Sequence, residues 1–254
     1  MLENRPKKRL GQHFLKDNNI AKKIVNALPE NGFDVIEIGP GRGVLTEFLY
    51  DKYGDRLHLV EIDKDLVVFL KNKYPELKKN ISNIDFLRID QRFFTGKKNI
   101  IGNFPYNISS QIFFKILEYR EYVPVIVCMI QKEVAQRIVS KPGNKTYGIL
   151  SVLLQAFYNV EYLFSVPPGV FYPPPKVTSS VIKLSYKNEE PSVDFNKFVN
   201  VVKTAFNQRR KMLRNSLNIE PTAKQEKLKQ FLHLRPEQLS VQDFISLTNQ
   251  LSEN

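Results

Sequence analysis

A chain of 254 residues can bury a sizeable core in one large or two modest domains, and its apolar and charged fractions are those of an ordinary globular protein. The 38 Lys and Arg against 26 Asp and Glu leave a net charge of +12, which suits a polyanionic partner such as nucleic acid, or else a solvated lysine-rich surface. The single Cys128 excludes an intrachain disulfide framework, no apolar run reaches the ~20 residues of a membrane helix, and no signal-like apolar stretch follows the basic N-terminus, so a reducing, cytoplasmic setting is expected.

In chain order, residues 5–15 begin as a basic cluster (Arg5, Lys7, Lys8, Arg9) suited to a phosphate backbone and end in a polar-to-apolar hook around His13 and Leu15. Asp17 is placed to cap a helix reaching Leu28, with Ile20, Ile24, Val25 and Leu28 on one face and Pro29 and Gly32 ending it. Strand and helix signals then alternate. Strands are predicted over 34–38, 57–62, within 84–89 with Asp90 at the end, over 99–101 and over 124–130. Helices are predicted over 44–52, from the Asp63 cap to about 73, over 111–118 and over 132–139. Such alternation argues a parallel, doubly wound sheet.

Further along, a helix is expected over 148–155, then strand-like runs over 156–166 and 178–186. Between these runs lies a proline-dense loop, 167–176, stiff enough to hold Phe171 and Tyr172 as aromatic tips at low entropic cost. Residues 187–192 read as a linker, and the remainder is helical. Asp194 caps a helix that turns Phe195, Phe198, Val199, Val202 and Phe206 inward, and further helices fall near 224–232 and 241–251. Residues 203–214 hold five basic side chains (Lys203, Arg209, Arg210, Lys211, Arg214) and no acid, a backbone-binding face or a solvated helix surface.

Two stretches carry chemistry. In 37–43 (Glu-Ile-Gly-Pro-Gly-Arg-Gly) a strand runs into a glycine turn that opens a helix. The dinucleotide fingerprint needs Gly-x-Gly-x-x-Gly, whereas the third glycine here arrives one residue early at Gly43, so an uncharged nucleoside approached closely at Gly39 and Gly41 is favoured over a pyrophosphate. Glu61, twenty residues after Gly41, can accept from both ribose hydroxyls, and Asp90 is read as the acceptor for an adenine amino group. Together these describe S-adenosylmethionine (AdoMet) rather than NAD. In 100–110 (Ile-Ile-Gly-Asn-Phe-Pro-Tyr-Asn-Ile-Ser-Ser) a strand ends in a tight turn, after which Ser109 or Ser110 can cap the next helix. Asn103 offers an amide, Pro105 fixes the turn and Tyr106 offers a π-face, a set able to hold a planar base with an exocyclic amine.

With these residues in view, the chain resembles the bacterial small-subunit ribosomal RNA adenine dimethyltransferases over nearly its whole length. The resemblance is carried by 8–15, 37–46, 60–63, 102–109, 131–133, 166–177, 204–211 and 214–217. It implies an α/β fold: a doubly wound, Rossmann-like class I AdoMet methyltransferase sheet over 1–187 with the basic N-terminal extension, then a small all-helical domain over 188–254 that contacts rRNA. It further implies a monomer that dimethylates the N6 amines of two adjacent adenosines near the 3′ end of 16S rRNA, in the small subunit or its precursor, with AdoMet as cofactor and no metal. His13 and Leu15 should close over AdoMet beside Gly39, and Asn103 should touch both cofactor and target. The Asn103 side chain and the Phe104 carbonyl should accept the two amine N–H groups, with Tyr106 stacked on the flipped base and Phe171 closing its other side. His13 stands where the family often has Asn, and Phe104 where Leu is commoner. The alternatives are a large-subunit rRNA methyltransferase of the macrolide-resistance type, a non-catalytic ribosome-assembly or transcription factor on the same fold and, more distantly, an NAD oxidoreductase.

Overall fold

The computed structural model describes residues 6–7, 10–187, 189–219 and 226–252. Arg5, Lys8 and Arg9 of the expected basic cluster, Asn188 of the expected linker, and the first two residues of the helix expected near 224 lie outside the described residues. The chain divides into two compact units: Met1–Ala135 with Glu161–Tyr186, and Gln136–Val160 with Lys187–Asn254.

The first unit opens with β1 (Phe14–Leu15) and α1 (Asn18–Asn26), then alternates: β2 (Asp34–Ile38), α2 (Val44–Tyr53), β3 (Leu57–Glu61), α3 (Lys64–Lys73) and β4 (Ile81–Asn83). β5 (Lys98–Asn103), α4 (Ser109–Glu118), β6 (Val125–Gln131) and α5 (Lys132–Ile138) follow. The caps read from the sequence form: the Asp17 carboxylate accepts from the N–H groups of Asn19 (2.9 Å) and Ile20 (3.0 Å), and that of Asp63 accepts from Asp65 N–H at 3.1 Å. α4 departs from expectation, because it begins two residues earlier than predicted. Ile108 takes the N-cap position, and Ser109, inside the helix, turns its hydroxyl back to the Tyr106 carbonyl at 3.5 Å.

After α6 (Ile149–Phe157) come β7 (Tyr158–Val166), β8 (Phe171–Tyr172) and β9 (Ser179–Tyr186). Seven strands form one sheet in the order β4-β3-β2-β5-β6-β9-β7, while β1 and β8 pair separately and antiparallel. The β4-β3-β2-β5-β6 part is parallel, and β9 joins β6 antiparallel, so the sheet is mixed rather than wholly parallel. The third strand expected within 84–89 is instead β4. Residues Phe86–Arg88 form a 3-10 turn because the Asp85 carboxylate caps it, accepting Leu87 N–H at 3.0 Å.

The order matters for function. β2 has β3 on one side and β5 on the other, so the chain winds outward in opposite directions from it and leaves a crevice at the carboxyl ends of these strands. Beneath lies a core that includes Ile24, Leu28, Val35, Leu49, Leu59, Leu70, Ile101, Val127 and Met129, and Cys128 is fully buried in β6. The second unit is largely helical: α6, α7 (Phe195–Asn207), α8 (Leu213–Ser216), α9 (Glu226–Leu232) and α10 (Val241–Ser252). Its packing is aromatic, with Phe157 edge-on to Phe195 and Phe198, and Phe206 stacked on Phe244. Among the described residues no helix is long and apolar enough to cross a membrane.

One glycine holds the crevice closed at its base. Gly102 is buried in β5, and a Cβ there would fall 2.4 Å from the Ile38 carbonyl oxygen of β2. Backbone cannot yield as a side chain does. Gly102→Ala is therefore expected to lower unfolding stability by about 1–3 kcal/mol in a urea titration. An unchanged midpoint would mean that β2 and β5 approach less closely than this.

Candidate functional site

The crevice contains a cavity lined from four directions. β2 and its turn supply Ile38, Gly39 and Gly41; β3 supplies Val60, Glu61 and the following Ile62; the segment after β4 supplies Ile84, Asp85 and Phe86; β5 and its turn supply Asn103, Phe104, Pro105 and Tyr106. The N-terminal hook, 10–14, closes it as a strap. Gly41 turns with φ +59°, and a Cβ on it would meet the Phe14 ring of the strap at 3.0 Å, so only glycine lets the strap come so near.

Four hydrogen bonds anchor the strap and the segment that leads into it. Lys7 Nζ lies 2.6 Å from carboxylate oxygens of both Asp63 and Asp65, and Gln12 Nε2 donates to Asp63 at 3.2 Å. Asn103 Nδ2 donates to the His13 carbonyl at 2.9 Å. That carbonyl can only accept, so the amide orientation is determined and Oδ1 faces the other way. Asn103 Oδ1 is buried and has no partner among the described residues. Phe104 N–H is already committed to the Met129 carbonyl at 3.0 Å.

The imidazole of His13 donates through Nδ1 to the Pro173 carbonyl at 2.8 Å, and its ring stacks on Tyr106 with centroids 5.4 Å apart and planes 25° from parallel. The Tyr106 hydroxyl is tied in turn to Ser179 Oγ on β9. The aromatic face at the mouth of the cavity is thus gripped at both ring and hydroxyl.

Two carboxylates sit behind the glycine turn. Glu61, almost wholly buried, accepts from Asp63 N–H at 2.9 Å and Gly41 N–H at 3.3 Å; burial raises its pKa, and these two donors oppose the rise. Glu37 is deeper and, among the described residues, accepts only from the Thr46 hydroxyl at 2.6 Å. Burial, with a further contribution from the Glu61 charge, pushes its pKa up to about 8 against that hydrogen bond.

Eight residues singled out in the sequence meet at this cavity: His13, Gly39, Gly41, Glu61, Asn103, Phe104, Pro105 and Tyr106. Leu15 lines a smaller adjoining cleft with Gly39, Gly41 and Asn103. Two others lie elsewhere. Asp90 is half-exposed outside the cavity, where both its oxygens bind the Arg92 guanidinium (Nε at 3.2 and 3.1 Å). Asp85 takes the position expected of it, because β4 ends seven residues before Asp90 rather than next to it. Phe171 is buried in the core as the β8 partner of Leu15, and the strand's alternation turns Tyr172 outward instead. Phe171 therefore supports the strap from beneath instead of presenting a face to a base. Ile62 was also missed. It is 50% exposed directly after Glu61, an apolar side chain left uncovered beside the cavity, and an exposed apolar residue after a strand-end acid was its signal.

This sheet order, with its switch point at a glycine turn and a strand-end acid beyond it, is the architecture of class I methyltransferases, and AdoMet is the cofactor of this protein. A dimethyladenosine transferase from Plasmodium falciparum has the same fold at a TM-score of 0.80 and 25% identity, covering 95% of this chain and 98% of that one. The 23S rRNA methyltransferase ErmE shares the fold at a TM-score of 0.68 and 24% identity, over 94% and 99% of the two chains. The sequence matches the Ribosomal RNA adenine dimethylase family over residues 3–253, and the chain belongs to that family. Among similar proteins, Ribosomal RNA small subunit methyltransferase A of Bacteroides thetaiotaomicron is 53% identical across 98% of this chain and 95% of its own length. The protein of the same name from Flavobacterium johnsoniae is 52% identical across 96% and 95%.

The buried acid makes a pH prediction. Between the ordinary carboxylate range and about pH 8, folded Glu37 keeps a proton that the unfolded chain releases, so stability falls as pH rises through that interval. Gln is neutral throughout and can still accept from Thr46. Glu37→Gln should thus melt like the parent at about pH 5 and above it at about pH 8.5. Melting curves that stay parallel across this range would show that Glu37 is ionised in the fold.

Proposed function

We propose that this protein transfers methyl groups from AdoMet to the N6 amines of two adjacent adenosines near the 3′ end of 16S rRNA, in the small ribosomal subunit or its precursor, giving N6,N6-dimethyladenosine. The observation that carries this reading is the unpartnered, buried Asn103 Oδ1 at the cavity, one residue before the Phe104 carbonyl. Two acceptors side by side match the two N–H groups of an exocyclic amine. The names of the relatives support the small subunit over the large one. The +12 charge suits an RNA substrate, and the helical region 188–254 contributes part of the RNA surface. The protein acts as a monomer in the cytoplasm, in keeping with its one buried thiol.

The site residues fit AdoMet. The glycine turn has no Cβ to fill the cradle, Glu61 keeps acceptor capacity for the ribose hydroxyls beyond its two backbone partners, and Asp85 is the acceptor for the adenine amino group in place of Asp90. Ile62 lies against the base, and His13 and Leu15 cover the cofactor from the strap side. When bound, AdoMet supplies a methyl group on a sulfonium, already electrophilic.

An adenine amine is a weak nucleophile because its lone pair is delocalised into the ring. Asn103 Oδ1 and the Phe104 carbonyl accept its two N–H bonds, draw the nitrogen toward tetrahedral geometry and aim the lone pair. Tyr106 stacks on the extruded base, an interaction worth ~1–3 kcal/mol that offsets much of the unstacking cost. The Ser179 contact keeps its ring in place meanwhile.

Asn103→Ala should lower turnover by about a hundredfold, comparable to removing one oriented polar group from a preorganised site, while AdoMet affinity by calorimetry changes far less. Full turnover in that variant would sink the clamp. In the same calorimetry, Asp85→Ala should weaken AdoMet binding about tenfold, the equivalent of one charge-assisted hydrogen bond, and Asp90→Ala should leave it unaltered. The reverse pattern would restore Asp90 to the site. The reaction itself is tested by radiolabelled methyl transfer to undermethylated small subunits with mapping of the modified adenosines. Labelling confined to large-subunit RNA would favour the resistance-type activity instead.

A further inference from the structure

The helical unit holds a groove of its own, separate from the cavity just described. Its volume is 640 Å³, within the range of small-ligand sites, and it is lined by Arg214, Asn215, Asn218, Ile219, Lys229, Leu232 and His233. The backbone brings these side chains together. Leu213 N–H donates to the Leu234 carbonyl at 2.8 Å, which sets the start of α8 against the end of α9 and so places Arg214 beside His233. Lys229 and His233 are four residues apart with Leu232 between them, one face of α9 and its terminal turn. On the other wall, Asn215 and Asn218 are three apart, and Ile219 N–H returns to the Arg214 carbonyl at 3.1 Å.

The composition is selective. Three cationic or basic side chains (Arg214, Lys229, His233) are exposed at the rim, two carboxamides lie between, Leu232 and Ile219 provide apolar surface, and among the described residues no acid lines it. A groove for a bare anion needs no apolar floor, and a groove for an apolar ligand needs no cations. Cations, amides and aliphatic surface together match one nucleotide: phosphate on the basic rim, base over the aliphatic floor, and base edges toward amides able to donate and accept.

We propose that this groove is a second nucleotide-binding site, which captures an unpaired nucleotide of the substrate RNA away from the adenosine being methylated. The inference rests on the RNA-methylating reading above and extends it to the helical unit. An unpaired nucleotide is required, because the bases of a continuous helix are stacked and cannot enter a groove between two helices. The site reads RNA shape: it accepts a bulge or loop at one position while the clamp holds the target at another.

The test compares the full-length protein with an Arg214→Ala/Lys229→Ala/His233→Ala variant. All three positions are exposed, so the fold should persist, as an unchanged melting curve and unchanged AdoMet affinity would show. The probes are an RNA duplex and the same duplex with one unpaired uridine, followed by fluorescence anisotropy. The parent should bind the bulged duplex about tenfold more tightly, from stacking and the local phosphate contact, and the variant should lose that preference. A parent that does not discriminate, or a variant that discriminates as well as the parent, overturns the site. Methylation of small subunits by the parent, assayed in parallel, decides the enzymatic reading separately, so failure of the groove and failure of that reading are distinguishable.

Discussion

The geometry of the site depends on one hydrogen bond, from the Asn103 amide to the His13 carbonyl. It joins the N-terminal strap to the end of β5, two segments ninety residues apart in sequence. It also decides which way the carboxamide points. Because the His13 carbonyl accepts and never donates, the amide nitrogen must face it, and Oδ1 is left buried without a partner. A buried acceptor in that condition costs about 1–3 kcal/mol. The site is thus prepared for a donor before one arrives, which is the sense in which its polar groups are preorganised.

The same economy of partners separates the two carboxylates behind the glycine turn. Glu37 and Glu61 are both buried, and both are pushed toward the protonated form. Glu61 has two backbone donors that favour its charged state, whereas Glu37 has one hydroxyl. Two like groups in one low-dielectric region therefore differ in how far local hydrogen bonding opposes the rise that burial imposes. The acid facing the cavity retains its accepting character, and the deeper one braces α2 through Thr46.

Elements whose physics is local are legible in the sequence. The caps at Asp17, Asp63 and Asp194 depend on residues two or three apart, and each forms, the last by accepting Lys197 N–H at 2.8 Å. The glycine turn and the Asn103–Tyr106 turn follow strand ends that an apolar run makes plain. The third strand was misplaced because its apolar residues, Ile84, Phe86, Leu87 and Ile89, suggest an extended run, while an aspartate cap among them converts the segment into a 3-10 turn. That shift of one element moved the predicted acid from Asp85 to Asp90.

Composition, periodicity and motif spacing together determine that this chain builds an α/β sheet with a glycine turn at the end of one strand, an Asn-Phe-Pro-Tyr turn at the end of another and a basic helical tail. These properties are written in residues close together, and they survive whatever the rest of the chain does. Tertiary structure alone decides which aspartate faces the cavity, that β9 runs antiparallel, and that Phe171 is core while Tyr172 is surface. In a two-residue strand such as β8, alternation permits either face to point inward, and only the pairing of Phe171 with Leu15 selects one. The strap's bond to Asn103 is of the same kind: nothing near residue 13 or residue 103 announces it, because the contact exists only once the sheet has brought them together.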